Sequence, residues 1–156
     1  MADTPRRLVE LTRSESLRRL AGVSFGRIVF TQHALPAIRP INHIVDTGAV
    51  IIRTHLGAAL LSATGMVVAY EADDIDPKEH VGWSVIVTGV ATRVRNPDEV
   101  ARYERLLQPW VNGHRNEIVR IQPDLVTGYE LTVDSRDHTP PMPTTTPRAT
   151  KQGPSS

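Results

Sequence analysis

Apolar residues change their period along this chain. At the front, Leu8, Leu11, Leu17 and Leu20 recur at three and multiples of three, which predicts helix. Thr12 and Glu15 fit a capping box, so a helix starts or restarts there, and Gly22 stops it. The period then drops toward two. Residues 26–31 (GRIVFT) form a short run of β-formers. Residues 38–45 (IRPINHIV) alternate less cleanly and contain Pro40, which in a strand belongs at an edge or a bulge. Asp46-Thr47-Gly48 signals a hairpin turn, with residues 49–54 (AVIIRT) as the returning strand.

Residues 57–64 read as a short helix and residues 66–72 (MVVAYEA) as a buried strand. Residues 73–80 read as a polar loop, and residues 82–95 as a long strand bent at Gly89. Asn96-Pro97-Asp98-Glu99 is a strong helix start: an Asn cap, Pro at the first helical position and acids in the first turn. Val100, Tyr103 and Leu107 mark the apolar face of that helix, which runs to Gln108 and stops at Pro109. Two closing strands follow, at 118–121 and 125–133. About seven strands and three helices result. Hairpins outnumber helical crossovers, so the expected fold is mainly β, an antiparallel sheet able to close into a barrel.

Composition narrows the class. The 156 residues are 40% hydrophobic and 22% charged, with a net charge of +1, ordinary for one folded domain. The near-neutral balance predicts no general attraction to nucleic acid or membrane. There is no cysteine, which excludes disulfides and thiolate chemistry. The N-terminus lacks the apolar core of a signal peptide, and no apolar run is long enough to span a bilayer, so the expected location is the cytoplasm. Residues 137–156 are rich in Pro, Thr and Ser and are expected to be a disordered tail behind a domain of residues 6–135. The six histidines form no close metal-ligand spacing, and the acidic stretch 71–79 lacks the residues of a calcium loop, so no metal is expected. No nucleophile elbow, Walker loop or dinucleotide fingerprint is present.

The chemistry concentrates in residues 36–60. If Thr47-Gly48 are the two central turn residues, Asp46 pairs with Ala49. Asn42 then lies opposite Arg53 and Ile41 opposite Thr54, so an amide and a guanidinium share a face. A three-residue turn would shift this match by one. After Arg53 the chain leaves a strand and opens a helix at Gly57-Ala58-Ala59. Free N–H groups there, with Arg53 and the Thr54 hydroxyl, would suit a phosphate. Spacing alone leaves a second reading open, in which Arg53 is a surface arginine beside a plain strand-to-helix turn.

The order GRIVFT, LPAIRPIN, VDTGAVIIRTHLGAAL, MVVAYEAD, GWSVIVTGVATRV, LLQPW, VRIQPDLVTGYEL resembles the pyridoxamine 5′-phosphate oxidase-like, FMN-binding split-barrel proteins. Pro40-Ile41-Asn42, Arg53-Thr54 with Gly57, and Gly82-Trp83-Ser84-Val85 carry most of it. The resemblance implies a split β-barrel of six to seven mostly antiparallel strands, a homodimer with a flavin at the subunit interface, and oxidoreductase chemistry on a small molecule. By it, Pro40, Ile41 and Asn42 would border the flavin ring, Ile52, Arg53 and Thr54 would follow its tail, Ala58, Ala59 and Leu60 would meet the phosphate, and Arg39 would be a further cofactor-binding residue. Trp83 and Ser84 would sit near the site, and Trp110 would reach in from the partner subunit.

One departure stands out. Relatives place a cation where this chain has Gly57-Ala58-Ala59. Losing it removes a charge-assisted contact, about 1.5–3 kcal/mol. Arg39 and His55 are candidates to compensate. Two alternatives to FMN chemistry follow: deazaflavin F420, with Arg93, Arg95, Arg102 and Arg105 meeting its acidic tail, or a non-catalytic flavin-binding protein.

Overall fold

The computed structural model describes residues 4–60, 66–109 and 116–134. The tail 137–156 lies outside them. Along the chain run β1 (Arg6–Leu11), α1 (Arg13–Ala21), β2 (Phe25–Gln32), β3 (Leu35–Asp46), β4 (Ala49–Thr54), α2 (Gly57–Leu60), β5 (Val67–Asp76), β6 (Val81–Arg93), α3 (Pro97–Leu106) and β7 (Glu117–Val133). The strand order is β1-β7-β4-β3-β2-β5-β6, and β6 pairs again with β7. Six strands therefore close into an antiparallel barrel, and β1 lies outside it on β7. Among the described residues no helix is long and apolar enough to cross a membrane.

The expected frontal helix is divided. Arg6–Leu11 is a strand, paired rung by rung with Val133 to Gly128 of β7. A long-range ladder overrides the local three-residue period. Thr12 then adopts an extended conformation and caps α1, its side chain accepting from the Glu15 N–H while Glu15 returns a bond to the Thr12 N–H. The capping box is formed as expected, and Gly22 ends the helix.

Three further boundaries differ from the pattern. Residues 73–76 are strand, not loop, each opposite a residue of β6. Both faces are solvated at this tip, so the composition is polar although the backbone is paired. The expected pair of closing strands is a single β7 of 17 residues. Its bend comes from a register shift, where Thr88 faces Leu125 but Gly89 faces Pro123, leaving Asp124 as an extra residue. α3 ends at Leu106 rather than Gln108: Leu107, its cap, is already extended, ahead of Gln108 and Pro109. Its Asn96 cap, accepting from the N–H groups of Asp98 and Glu99, is as expected.

The core has two parts. Ile28, Val50, Ile52, Val68, Tyr70, Val85, Val87, Val119 and Ile121 fill the barrel, with Leu20 of α1 plugging one end. Ala49, Ile51 and Ile118 face outward and are sealed under α3 by Tyr103 and Leu107. This explains why AVIIRT is apolar on successive residues. β4 is covered on both faces, by the barrel interior and by α3.

Gly89 holds the bulge together. A Cβ there would lie 1.8 Å from the Gln122 carbonyl oxygen. Gly89→Ala is expected to lower the unfolding free energy by about 1–3 kcal/mol, the usual effect of overpacking. Chemical denaturation of the two proteins measures it, and equal midpoints would refute the close approach.

Candidate functional site

β3 is paired on both sides over only part of its length. Its bonds to β4 cover His43↔Ile52 to Asp46↔Ala49, whereas β2 follows it from Leu35 to Asn42. Beyond His43 the two strands part. The β2–β3 hairpin turns at His33-Ala34, both with positive φ, so Gln32 and Leu35 close a two-residue turn. Hydrogen bonding alternates from there, and odd residues of β3 bond toward β2. The His43 N–H, which donates to the Ser24 carbonyl at 2.9 Å, continues that series. The even residues Pro36, Ile38, Pro40 and Asn42 therefore turn their backbone toward the opening. Two of these are prolines, which have no N–H to leave unpaired. Pro40 sits at a free edge, as its residue type predicted.

The opening is a cleft of about 210 Å³ lined by Arg39, Pro40, Ile41 and Asn42 on one side and Arg53, Thr54, His55 and Leu56 on the other, with Pro109 and Asn116. Its floor is apolar and its rim carries cations and amides. No carboxylate lines it among the described residues.

The hairpin register is the one expected from the turn, with Asp46 opposite Ala49 and Thr47 and Gly48 both at positive φ. Asn42 and Arg53 consequently stand just beyond the last rung, at the mouth of the cleft, each bonded to α3. Both reach the C-terminal end of α3. Arg53 donates from one terminal nitrogen to the carbonyls of Glu104 and Leu107, each at 3.1 Å, and the Asn42 amide donates to the Gln108 carbonyl at 3.2 Å. A helix C-terminus has unpaired carbonyls and a partial negative charge, which a guanidinium satisfies. The Arg53 Nε is buried and has no hydrogen-bond partner. The Thr54 hydroxyl accepts from the Leu56 N–H at 2.9 Å and so fixes the turn out of β4.

The predicted site residues separate into groups. Arg39, Pro40, Ile41, Asn42, Arg53 and Thr54 come together in the cleft. The Ile52 side chain points into the barrel core instead. Ala58 and Ala59 lie in a different depression, against Thr31, Gln32, His33 and Ala34. Trp83 is a core residue, and Ser84 faces outward between Asp73 and Tyr129. Neither lines the cleft, because both stand at the start of β6, while the cleft adjoins the strand that pairs with its end. The Leu60 side chain and Trp110 lie outside the described residues. Pro109 and Asn116 were not anticipated; Pro109 follows the end of α3, and Asn116 comes in beside the Thr54↔Glu117 rung of β4 and β7.

A buried polar relay backs the cleft strand. His43 is 2% exposed; its Nε2 lies 2.8 Å from the Leu20 carbonyl and its Nδ1 2.6 Å from the Tyr70 hydroxyl. That hydroxyl is also 2.9 Å from the Ile41 carbonyl. Burial pushes the His43 pKa below the ordinary value, against a smaller opposing effect of the Leu20 carbonyl. Burial likewise pushes the Tyr70 phenol up. A neutral His43 must donate from Nε2, since a carbonyl only accepts. The Tyr70 proton is then shared between Nδ1 and the Ile41 carbonyl.

An antiparallel barrel opened between two neighbouring strands, with a rimmed apolar cleft at the opening, defines a split-barrel protein. The family model described as pyridoxamine 5′-phosphate oxidase matches residues 12–130, and the chain belongs to that family. It is 55% identical over 137 residues to the uncharacterized protein Rv0080 of Mycobacterium tuberculosis, covering 84% of this chain and 90% of that one. Among solved structures, it is 39% identical to a candidate pyridoxamine 5′-phosphate oxidase of Corynebacterium glutamicum, with a TM-score of 0.70 over 81% of this chain and 94% of that one. It is also 39% identical to a protein of Mycobacterium smegmatis described as FAD binding, with a TM-score of 0.64 over 77% and 95% of the two chains.

The relay makes stability depend on pH. Folded His43 resists protonation, while the unfolded chain takes up a proton below about pH 6.5. The His43 contribution is therefore complete above that pH and is lost as pH falls below it. The stability difference between wild type and His43→Gln is expected to shrink between pH 7 and pH 5. A constant difference in denaturant unfolding would show that His43 does not titrate there.

Proposed function

We infer that this chain is a flavin-dependent oxidoreductase that holds FMN in the cleft between β3 and β4. The observation that carries this reading is the cleft itself. It joins an unpaired strand edge, an apolar floor, a buried unpartnered Arg53 Nε and a rim free of carboxylates among the described residues. Those features suit a flat aromatic ring with carbonyl acceptors and an anionic tail. Pro40, Ile41, Leu56 and Pro109 would cover the ring; the backbone of Ile38 and Asn42 and the Arg53 Nε would meet its polar edge. Bound flavin supplies the electron transfer, and the protein supplies position, charge and exclusion of water. The FAD-binding description of the Mycobacterium smegmatis relative supports the same cofactor class.

The site is completed by a second copy of the chain. A cleft of about 210 Å³ falls short of the roughly 300–1,000 Å³ that encloses a ligand of this size. The outer face of β5, β6 and β7 carries Val67, Ile86, Leu125 and Tyr129, each at least 41% exposed. These exposed apolar side chains, on three adjacent strands, support an association surface there. Deazaflavin F420 is the less favoured cofactor. Of the four arginines available for its acidic tail, Arg93 is paired with Glu117 and Arg102 with Asp46.

Titration of the purified protein with FMN, FAD and F420, followed by fluorescence, tests the reading. FMN is expected to bind saturably, and Arg53→Ala to weaken it at least about tenfold by releasing the α3 wall and the buried donor. Binding of none of the three would refute the flavin site; tighter binding of F420 than of FMN would replace the cofactor. Sedimentation at micromolar concentration is expected to give twice the chain mass, and a monomer would overturn the shared site.

A further inference from the structure

We propose that Arg39 and His55, on opposite lips of the cleft, provide the phosphate-binding charge that the Gly57-Ala58-Ala59 turn lacks. The proposal rests on the flavin reading and names the residues that would fix the cofactor's anionic end.

Three observations lead to it. The first is parity. On β3, Ala37 and Ile41 point inward and pack against the barrel core. Arg39 lies between them on the same face, where alternation calls for an apolar residue. It is nevertheless exposed, because the barrel is open beside it. A guanidinium at an inward position is tolerated only where the wall is missing, and here that place is the cleft.

The second is the disposition of cations. Arg53 is the other arginine of the cleft, and it is engaged with two carbonyls of α3. Arg39 makes no ion pair among the described residues; its guanidinium donates only to the carbonyl of its own neighbour, Ile38, at 2.7 Å. By contrast Arg19, Arg27, Arg93, Arg102 and Arg120 each meet a carboxylate. Among the described residues, Arg39 is thus a cation held at the cleft without a counter-charge.

The third is the opposite lip. His55 follows β4 and is exposed at the cleft. The bond from the Leu56 N–H to the Thr54 hydroxyl turns the chain around it. Two basic residues, one beside each strand, thereby line one opening that has no acid on its rim among the described residues. Such a pair suits the dianionic phosphate of FMN or the first phosphate of FAD, and offers nothing to riboflavin, which has the same ring and no phosphate.

Riboflavin and FMN are therefore titrated in parallel against wild type, Arg39→Gln, His55→Gln, Arg39→Lys and Arg53→Ala, with melting curves confirming that each variant folds. Arg39→Gln is expected to weaken FMN about tenfold, the scale of one charge-assisted contact, and to leave riboflavin within about twofold. His55→Gln should act in the same direction, less strongly, and Arg39→Lys should recover most of the FMN affinity. Arg53→Ala should weaken both ligands together. Equal loss of FMN and riboflavin in Arg39→Gln, or no loss of either, would overturn the assignment while leaving the flavin site intact. Failure of wild type to bind either ligand would overturn the FMN reading and this proposal with it.

Discussion

The separation of β3 from β4 beyond the His43↔Ile52 rung is the constraint on which the rest depends. A closed barrel would pair every backbone group of β3 and bury every inward side chain. Opening one seam relaxes both requirements over residues 36–42. Prolines become admissible at 36 and 40, on the side that has lost its ladder partner. They also keep the seam open, since a strand carrying two prolines on that edge cannot be bonded there along its length. An arginine becomes admissible at 39, between two core positions. The open seam and the unusual residues beside it are one feature seen at two levels.

An open seam needs a rigid frame, and α3 provides it. Its apolar face seals the outside of β4, where burial of Tyr103, Leu107, Ile51 and Ile118 supplies most of the stabilisation. Polar contacts then set its position. Asp46, at the hairpin, accepts from both Arg102 and Tyr103. Arg53 and Asn42, at the far end of the same hairpin, hold the helix end by donating to its carbonyls. Exposed ion pairs contribute little by themselves, up to about 1 kcal/mol. Their value here is directional: they fix where Pro109 stands, and so how wide the cleft is.

Much of this was legible in the sequence, for physical reasons that can be named. The capping box at Thr12, the Asn96-Pro97 start and the Thr47-Gly48 turn are local chemistries, and each formed as read. The register of the β3–β4 hairpin followed from the turn length alone. What escaped was set by distant partners. The strand at Arg6–Leu11 exists because β7 lies beside it. The His33-Ala34 turn carries no glycine or asparagine to announce it, although both residues take positive φ. The run from Arg39 to Asn42 and Arg53-Thr54, read from composition and resemblance as candidates, comes together in one cleft. The role of Arg53 toward α3 was not legible, because a helix carbonyl leaves no mark in sequence. Trp83 was assigned by resemblance to the site's surroundings, yet its inward parity on β6 places it in the core of its own barrel.

The relay behind the cleft links these levels. His43 occupies the last rung before the seam opens, and its ring joins the end of α1 to Tyr70 and, through it, to Ile41. Ile41 is both a core residue and part of the cleft wall. A buried, fully partnered network is rigid, because any displacement leaves a polar group unpaired at a penalty of about 1–3 kcal/mol. The closed part of β3 is therefore held from inside the barrel by neutral hydrogen bonds. The open part presents charge to the outside. The charged rim can adapt to an anionic ligand without strain reaching the fold, since the residues that recognise and the residues that support lie on successive segments of one strand.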